Sequence, residues 1–160
     1  MIVREEAASD RGAIHALIAE AFGRDAEAGL VDVLRRDGDL VVSLVAETGG
    51  VVVGHIALSR LRSPERALAL APLAVALARR RRGVGAALVH NAIDRARRAG
   101  ESILFVLGDP AYYTRFGFSA AAAAPYPCAY AGPHFMALQL DDSPAAVAAV
   151  AYPPAFDDLA

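Results

Sequence analysis

Along residues 67–77 the large apolar side chains change phase. Leu68 and Leu70 occupy even positions, Leu73, Val75 and Leu77 odd ones, and Pro72 stands at the change. Successive side chains of a strand point to opposite faces, so one face can hold both sets only if an extra residue is inserted, as a β-bulge. Proline has no N–H to give to a ladder and is tolerated in sheets chiefly at such places. A bulge splays the strand from a neighbour and frees backbone N–H and C=O groups to bind something extended. A strand covered on both faces would read the same way, because phase is then immaterial, and this stretch alone does not separate the two.

The flanking pattern sets the fold class. Residues 1–4 read as a short edge strand. Ser9 or Asp10 can cap a helix in which Ile14, Leu17, Ile18, Ala21 and Phe22 follow a 3.6-residue period. A second helix spans residues 27–36, with Leu30, Val33 and Leu34 on one face. Residues 40–47 and 51–60 form a hairpin around Thr48-Gly49-Gly50. Residues 83–99 read as a helix closed by Arg97, Arg98 and Gly100. Ile103–Leu107 is a continuous apolar strand, residues 112–116 a turn or short helix, and residues 134–140 a last strand. The alanine run 120–124 and the proline-spaced residues 125–133 read as a surface loop, whose Tyr126 and Tyr130 cover a sheet edge or line a pocket. A strand–helix–strand run from Leu68 to Leu107 demands a parallel crossover, whereas the hairpin is antiparallel. One α/β (α+β) domain over residues 1–160, with a mixed sheet, is expected.

Composition removes whole classes of function. Apolar residues make up 56% of the chain, which excludes disorder. Near the middle of the chain the longest stretch without a charged or strongly polar group, residues 67–78, contains Pro72 and falls short of the ~18 apolar residues of a bilayer helix. The start lacks a secretory pattern, and a lone cysteine, Cys128, fits a reducing cytoplasm. All sixteen basic residues are arginine. The absence of lysine rules out Schiff-base chemistry and a P-loop. A net charge of -2 gives no general attraction to nucleic acid or membrane. His15, His90 and His134 are scattered singly, so no metal site is expected.

Chemistry concentrates in two places. The first is Arg79-Arg80-Arg81-Arg82-Gly83-Val84-Gly85-Ala86, within a stretch free of acidic residues from Glu65 to Asp94. Glycines at a helix start expose amides at the positive end of the helix dipole, which suits a phosphate. A dinucleotide fingerprint would need a third glycine where Leu88 stands. A nucleic-acid patch would interleave aromatics with the arginines. A pyrophosphate cradle of another geometry remains. The second place is Gly108-Asp109-Pro110-Ala111-Tyr112-Tyr113-Thr114-Arg115-Phe116-Gly117-Phe118, directly after the buried strand. It fixes a phenol near the carboxyl ends of the sheet, where a proton can be given to a leaving group or where both tyrosines simply pack.

Together these features resemble the GNAT superfamily of acyl-CoA-dependent N-acetyltransferases. Its Q/R-x-x-G-x-G/A motif after a Leu-Ala-Val strand is matched by Leu73-Ala74-Val75 and Arg80-x-x-Gly83-x-Gly85, and its Tyr-x-x-x-Gly-Phe motif by Tyr113 through Gly117-Phe118. More narrowly, Pro72-Leu73-Ala74-Val75, Gly54-His55-Ile56, Leu107-Gly108-Asp109-Pro110 and Tyr152-Pro153-x-Ala155-Phe156 resemble the YhbS-type branch. The chain departs from many relatives at Leu77, Arg80 and Val106, where proline, glutamine and asparagine are common.

The resemblance implies a mostly antiparallel mixed sheet whose bulged central strand splays from its parallel neighbour, with acetyl-CoA (coenzyme A) as cosubstrate between them. It places the pantetheine arm along Leu73, Ala74 and Val75, and the pyrophosphate on Arg80, Arg81, Arg82, Gly83, Val84, Gly85 and Ala86. An N–H near Leu73 or Val75 would stabilise the developing oxyanion. Tyr113 would protonate the departing thiolate, by a modest factor because a thiol of pKa about 8.5 already leaves well. His55 is the candidate base, alongside a structural role; Glu47, Glu65 and a water chain are alternatives. The expected partner is a small-molecule or peptide amine acceptor, with no nucleic acid and no membrane, and a homodimer is left open. The rival readings are a CoA- or acyl-CoA-binding sensor without turnover and a nucleic-acid contact protein using Arg79 to Arg82.

Overall fold

The structure, a computed structural model, describes residues 1–143 and 146–159. Strand β1 (Ile2–Glu5) leads through a 3₁₀ turn at Ala8–Asp10 into helices α1 (Arg11–Phe22) and α2 (Ala26–Arg36). The hairpin β2 (Leu40–Thr48) and β3 (Val51–Arg60) is followed by β4 (Ala67–Val75), α3 (Val84–Arg98) and β5 (Ile103–Leu107). Short helices α4 (Pro110–Tyr113) and α5 (Ala120–Ala123) precede β6 (Phe135–Gln139). The strands form one six-stranded sheet in sequence order. Every neighbouring pair is antiparallel except β4–β5, which the α3 crossover makes parallel.

β4 carries a bulge where its sequence changes phase. Ile56 is opposite Leu73 and Leu58 opposite Leu70, so three steps on β4 (70 to 73) face two on β3 (56 to 58). The inserted residue sends Leu68, Leu70, Leu73 and Val75 to one face, where all four pack with α3. Ala67 and Ala69 lie on the opposite face, and Ala74 packs with α1. Leu77 is the exception to the expected run. Pairing ends at Gly54↔Val75 and with the Ala76 N–H to the Val53 carbonyl, so Leu77 has no partner strand. It begins a 3₁₀ turn and is 53% exposed. On its other edge β4 follows β5 only through Ala69↔Phe105. Beyond that pair, residues 70–75 have no strand beside them on the β5 side.

Two layers cover the sheet. Leu88, Val89, Ala92 and Ala96 of α3 pack on Leu104 and Val106 of β5, whereas Ile103 and Phe105 meet α2 and the chain's last described residues on the other face. The apolar run of β5 is thus covered on both sides from Ile103 to Val106, whereas Leu107 at its end is 50% exposed. Residues 120–123, expected as loop, are helical. Alanine has the highest helix propensity, and the Ser119 hydroxyl accepts from the Ala122 N–H at 3.1 Å as an N-cap. Asp10 does not cap α1 with its side chain. Its carboxylate turns back to accept from the Ala7 N–H at 2.6 Å and from Arg4 at 2.7 Å.

α3 crosses β3 at Gly54 with no room for a side chain. A Cβ there would lie 2.8 Å from Val84 Cγ1 and 2.9 Å from Leu88 Cδ1. Gly54→Ala should therefore lower the urea midpoint by an amount equivalent to ~1–3 kcal/mol, the range for an overpacked core, with an unchanged m-value. A midpoint equal to the parent's would show that α3 shifts freely on the sheet.

Candidate active site

The crossover from β4 to α3 builds a concavity of amides. Arg81 has φ +63° and Gly83 has φ +81°. A left-handed arginine costs about 1–2 kcal/mol, and strain of this kind collects at binding sites. The first helical bond runs from the Ala87 N–H to the Gly83 carbonyl at 3.0 Å, so the amides of Val84, Gly85 and Ala86 have no helical acceptor. No side chain caps them. Left-handed residues interleaved in such a turn aim successive N–H groups at one point, as an anion-binding nest does.

These amides open onto a groove of about 770 Å³ lined by every predicted cofactor residue except Arg82. Leu73, Ala74 and Val75 form its strand side, at the edge of β4 that β5 has left. Arg82 is exposed and lies outside. Five further residues complete the lining: Ala21 and Phe22 at the end of α1, Arg79, Tyr112 and Arg115. Arg80 donates to the Ala21 carbonyl at 3.4 Å, tying α1 to the cradle. Arg115 stands three residues after Tyr112, about one helical turn, and that spacing is the signal by which the sequence could have placed both on one wall. Phe22 carries no local signal, because only packing of α1 brings it here.

The paired tyrosines part company. Tyr112 faces the groove, and its hydroxyl is 2.5 Å from where a Cβ of residue 85 would sit. Glycine at that position thus admits a phenol as well as exposing an amide. Tyr113 lies outside the groove lining, edge-on to Tyr112 at 5.0 Å and to Phe118 at 5.8 Å. Its ring edge would meet a Cβ of Gly108 at 2.6 Å, so it sits at the carboxyl end of β5, the strand from which β4 has parted. Burial pushes the Tyr113 phenol up to about 12, which keeps its proton in place at neutral pH.

His55 does not belong to this site. It is 0% exposed and lines no part of the groove. Its Nε2 lies 2.8 Å from the Ser43 hydroxyl, which in turn contacts the Glu6 carboxylate held by Arg35 at 2.8 Å. A carboxylate only accepts, so Ser43 donates to Glu6 and the His55 Nε2–H donates to Ser43. Nδ1 is left without a partner among the described residues. Burial, reinforced by the Arg35 charge and opposed by Glu6, pulls the His55 pKa down to about 4. The structure thus places His55 in the sheet's interior and not among the residues that line the groove. Of the other candidate bases, Glu47 pairs with Arg4 at 3.4 Å and Glu65 is exposed on the turn before β4; neither lines the groove. A second cavity, of about 630 Å³, lies over β1 and the start of β2, and the charges around it are matched in pairs, Glu5 with Arg95 and Glu6 with Arg35.

A bulged strand parts from its parallel neighbour beside an uncapped helix start, the arrangement that the resemblance to acyl-CoA-dependent transferases implies. The chain matches the acetyltransferase (GNAT) family over residues 9–118. It is 39% identical over 136 residues to Uncharacterized N-acetyltransferase YhbS of Escherichia coli (strain K12), covering 82% of this chain and 81% of that protein. Among solved structures, GNAT family N-acetyltransferase YhbS from Escherichia coli in complex with CoA has a TM-score of 0.89 at 34% identity, covering 98% of this chain and 91% of that one. A GNAT family acetyltransferase from Brucella melitensis in complex with acetyl-CoA has a TM-score of 0.83 at 32% identity, covering 98% and 97%. This chain belongs to the GNAT family of N-acetyltransferases.

The burial of His55 has a consequence for stability. Its pKa is about 4 in the folded protein and about 6.5 in an unfolded chain. Between those values the unfolded state binds more protons, so stability falls as pH drops through the window and is level above it. The loss from about pH 7.5 to about pH 5 should be roughly 2 kcal/mol in urea unfolding, and His55→Gln should remove that part of the slope. Equal slopes for parent and variant would contradict the neutral, buried histidine.

Proposed function

We propose that the protein transfers an acetyl group from acetyl-CoA to a primary amine, by direct attack of the neutral amine within a ternary complex. One observation carries this reading: the free edge of β4 and the uncapped amides of α3 line the same groove. The CoA and acetyl-CoA complexes of the relatives from Escherichia coli and Brucella melitensis support it. The residues suit the cosubstrate. A Cβ at Gly83 would meet no atom within 4 Å, so the space over the cradle is open, and Arg79, Arg80 and Arg81 bring positive charge to it.

Acetyl-CoA, when bound, supplies a thioester already activated for acyl transfer. The backbone of Leu73–Val75 would orient its extended arm by continuing the ladder that β5 leaves unfinished. The amides of residues 81–86 would hold the pyrophosphate. An N–H at Leu73 or Val75, fixed in the strand, would lie ready for negative charge on the carbonyl oxygen. Tyr113, which stands outside the groove lining at the carboxyl end of β5, would give its proton to the departing sulfur, a role that the Tyr-x-x-x-Gly-Phe motif implies and its retained proton supports. No side chain is assigned as base; the amine would lose its proton to water at the open end of the groove. The acceptor is a small molecule or a peptide amine, and the single cysteine supports a cytoplasmic setting.

Tyr113→Phe keeps the ring and removes only the hydroxyl. In single-turnover assays with an acceptor amine, acyl transfer should slow roughly 10- to 1000-fold while acetyl-CoA affinity stays the same. An unchanged rate would remove Tyr113 from the chemistry. Acetyl-CoA binding with no transfer to any amine would instead support a sensor module.

A further inference from the structure

We propose that Tyr112 and Arg115 form a second wall of the phosphate site, closing on the pyrophosphate of the cosubstrate opposite the α3 amides. This rests on the reading that the groove takes acetyl-CoA. Three observations converge. The Tyr112 hydroxyl sits against Gly85, directly beside the uncapped amides. The Arg115 guanidinium lies 4.7 Å from the Tyr112 ring centroid and 5.3 Å from that of Phe116, and its Nε donates to the Tyr112 carbonyl at 3.3 Å. Stacking and the Nε bond hold the fork beside the Tyr112 ring, with no carboxylate among the described residues paired to it. Burial pushes the Tyr112 phenol up, and the neighbouring Arg115 cation offsets only part of that rise.

The third observation is the distribution of ion pairs. Ten of the sixteen arginines pair with carboxylates: residues 4, 11, 24, 35, 36, 60, 62, 66, 95 and 98. Of the six without a carboxylate among the described residues, four, Arg79, Arg80, Arg81 and Arg115, line this one groove. Arg79, Arg80 and Arg81 come from the crossover after β4, and Arg115 comes from across the groove. A chain that matches most of its arginines with acids keeps these four unmatched where helix amides already favour an anion. A diphosphate held between two walls, with a hydroxyl donor and a planar cation on the second, accounts for all three observations. The groove thereby favours the nucleotide-bearing thioester over a bare pantetheine thioester.

The test measures dissociation constants by calorimetry for CoA and 3′-dephospho-CoA, and heat-shift titration for pantetheine, in the parent protein and in Tyr112→Phe, Arg115→Gln and Arg115→Lys. Arg115→Gln should weaken CoA and 3′-dephospho-CoA by the same factor, about 10-fold or more, as expected for a lost charge-assisted bond. Tyr112→Phe should weaken both about 3- to 10-fold. Arg115→Lys should recover part of the loss, and Gly85→Ala, which displaces the phenol, should behave as Tyr112→Phe does. Pantetheine should bind all variants alike, which also reports that the variants fold. Equal losses on pantetheine, or a loss on CoA that vanishes with 3′-dephospho-CoA, overturns the pyrophosphate contact. Tight CoA binding by the parent that both variants keep overturns this proposal alone. No CoA binding by the parent overturns it together with the function it rests on.

Discussion

β4 has to present Leu68, Leu70, Leu73 and Val75 to α3 while staying in register with β3, and a regular strand cannot do both. Burying a large aliphatic side chain is worth about 1.5–3 kcal/mol, so holding the second pair on the core face outweighs one disrupted ladder position. The bulge at residues 71–72 is the result, and the parting from β5 follows it. The parting has its own cost, because each unsatisfied backbone group amounts to ~1–3 kcal/mol when no water or ligand reaches it. The freed edge is therefore held at an open groove rather than in the core. The polar groups lost to the sheet are the ones available to an extended ligand.

The same crossover that makes β4 and β5 parallel also sets α3 with its first amides beside that edge. Its start is held in place by apolar packing, with Val84 and Leu88 pressed on Gly54, and not by a capping side chain. Stability and binding are thus divided along one helix. Its buried face fixes its position, and its uncapped end stays available to an anion. Arg80 extends the arrangement to α1 through the Ala21 carbonyl, so the far wall of the groove is joined to the cradle by the same run of arginines.

Much of this was legible in the chain. The phase change at Pro72 raises the bulge as one of two readings, and the register of β4 on β3 decides for it. Gly83 and the arginine run encode the helix start, and the apolar Ile103–Leu107 encodes a strand covered twice. What escaped reading depends on distance in sequence or on environment. A histidine beside Gly54 in a strand reads either as a base or as a structural residue until its complete burial and the Ser43 contact to its Nε2 are seen. Which of two adjacent tyrosines faces a groove depends on the direction of a four-residue helix, α4. Leu77 looked like strand because apolar character continues past the point where β3 stops offering a partner. Phe22 reaches the groove only through the packing of α1.

The central claim is that the edge of β4 and the start of α3 are one binding surface. Amide hydrogen exchange, with and without saturating acetyl-CoA, tests it segment by segment. Slowed exchange should appear together at residues 73–75 and 81–86, with little change over β1 and the start of β2, where the second cavity lies. Protection over β1 and β2 instead, or protection at only one of the two groove segments, would contradict it.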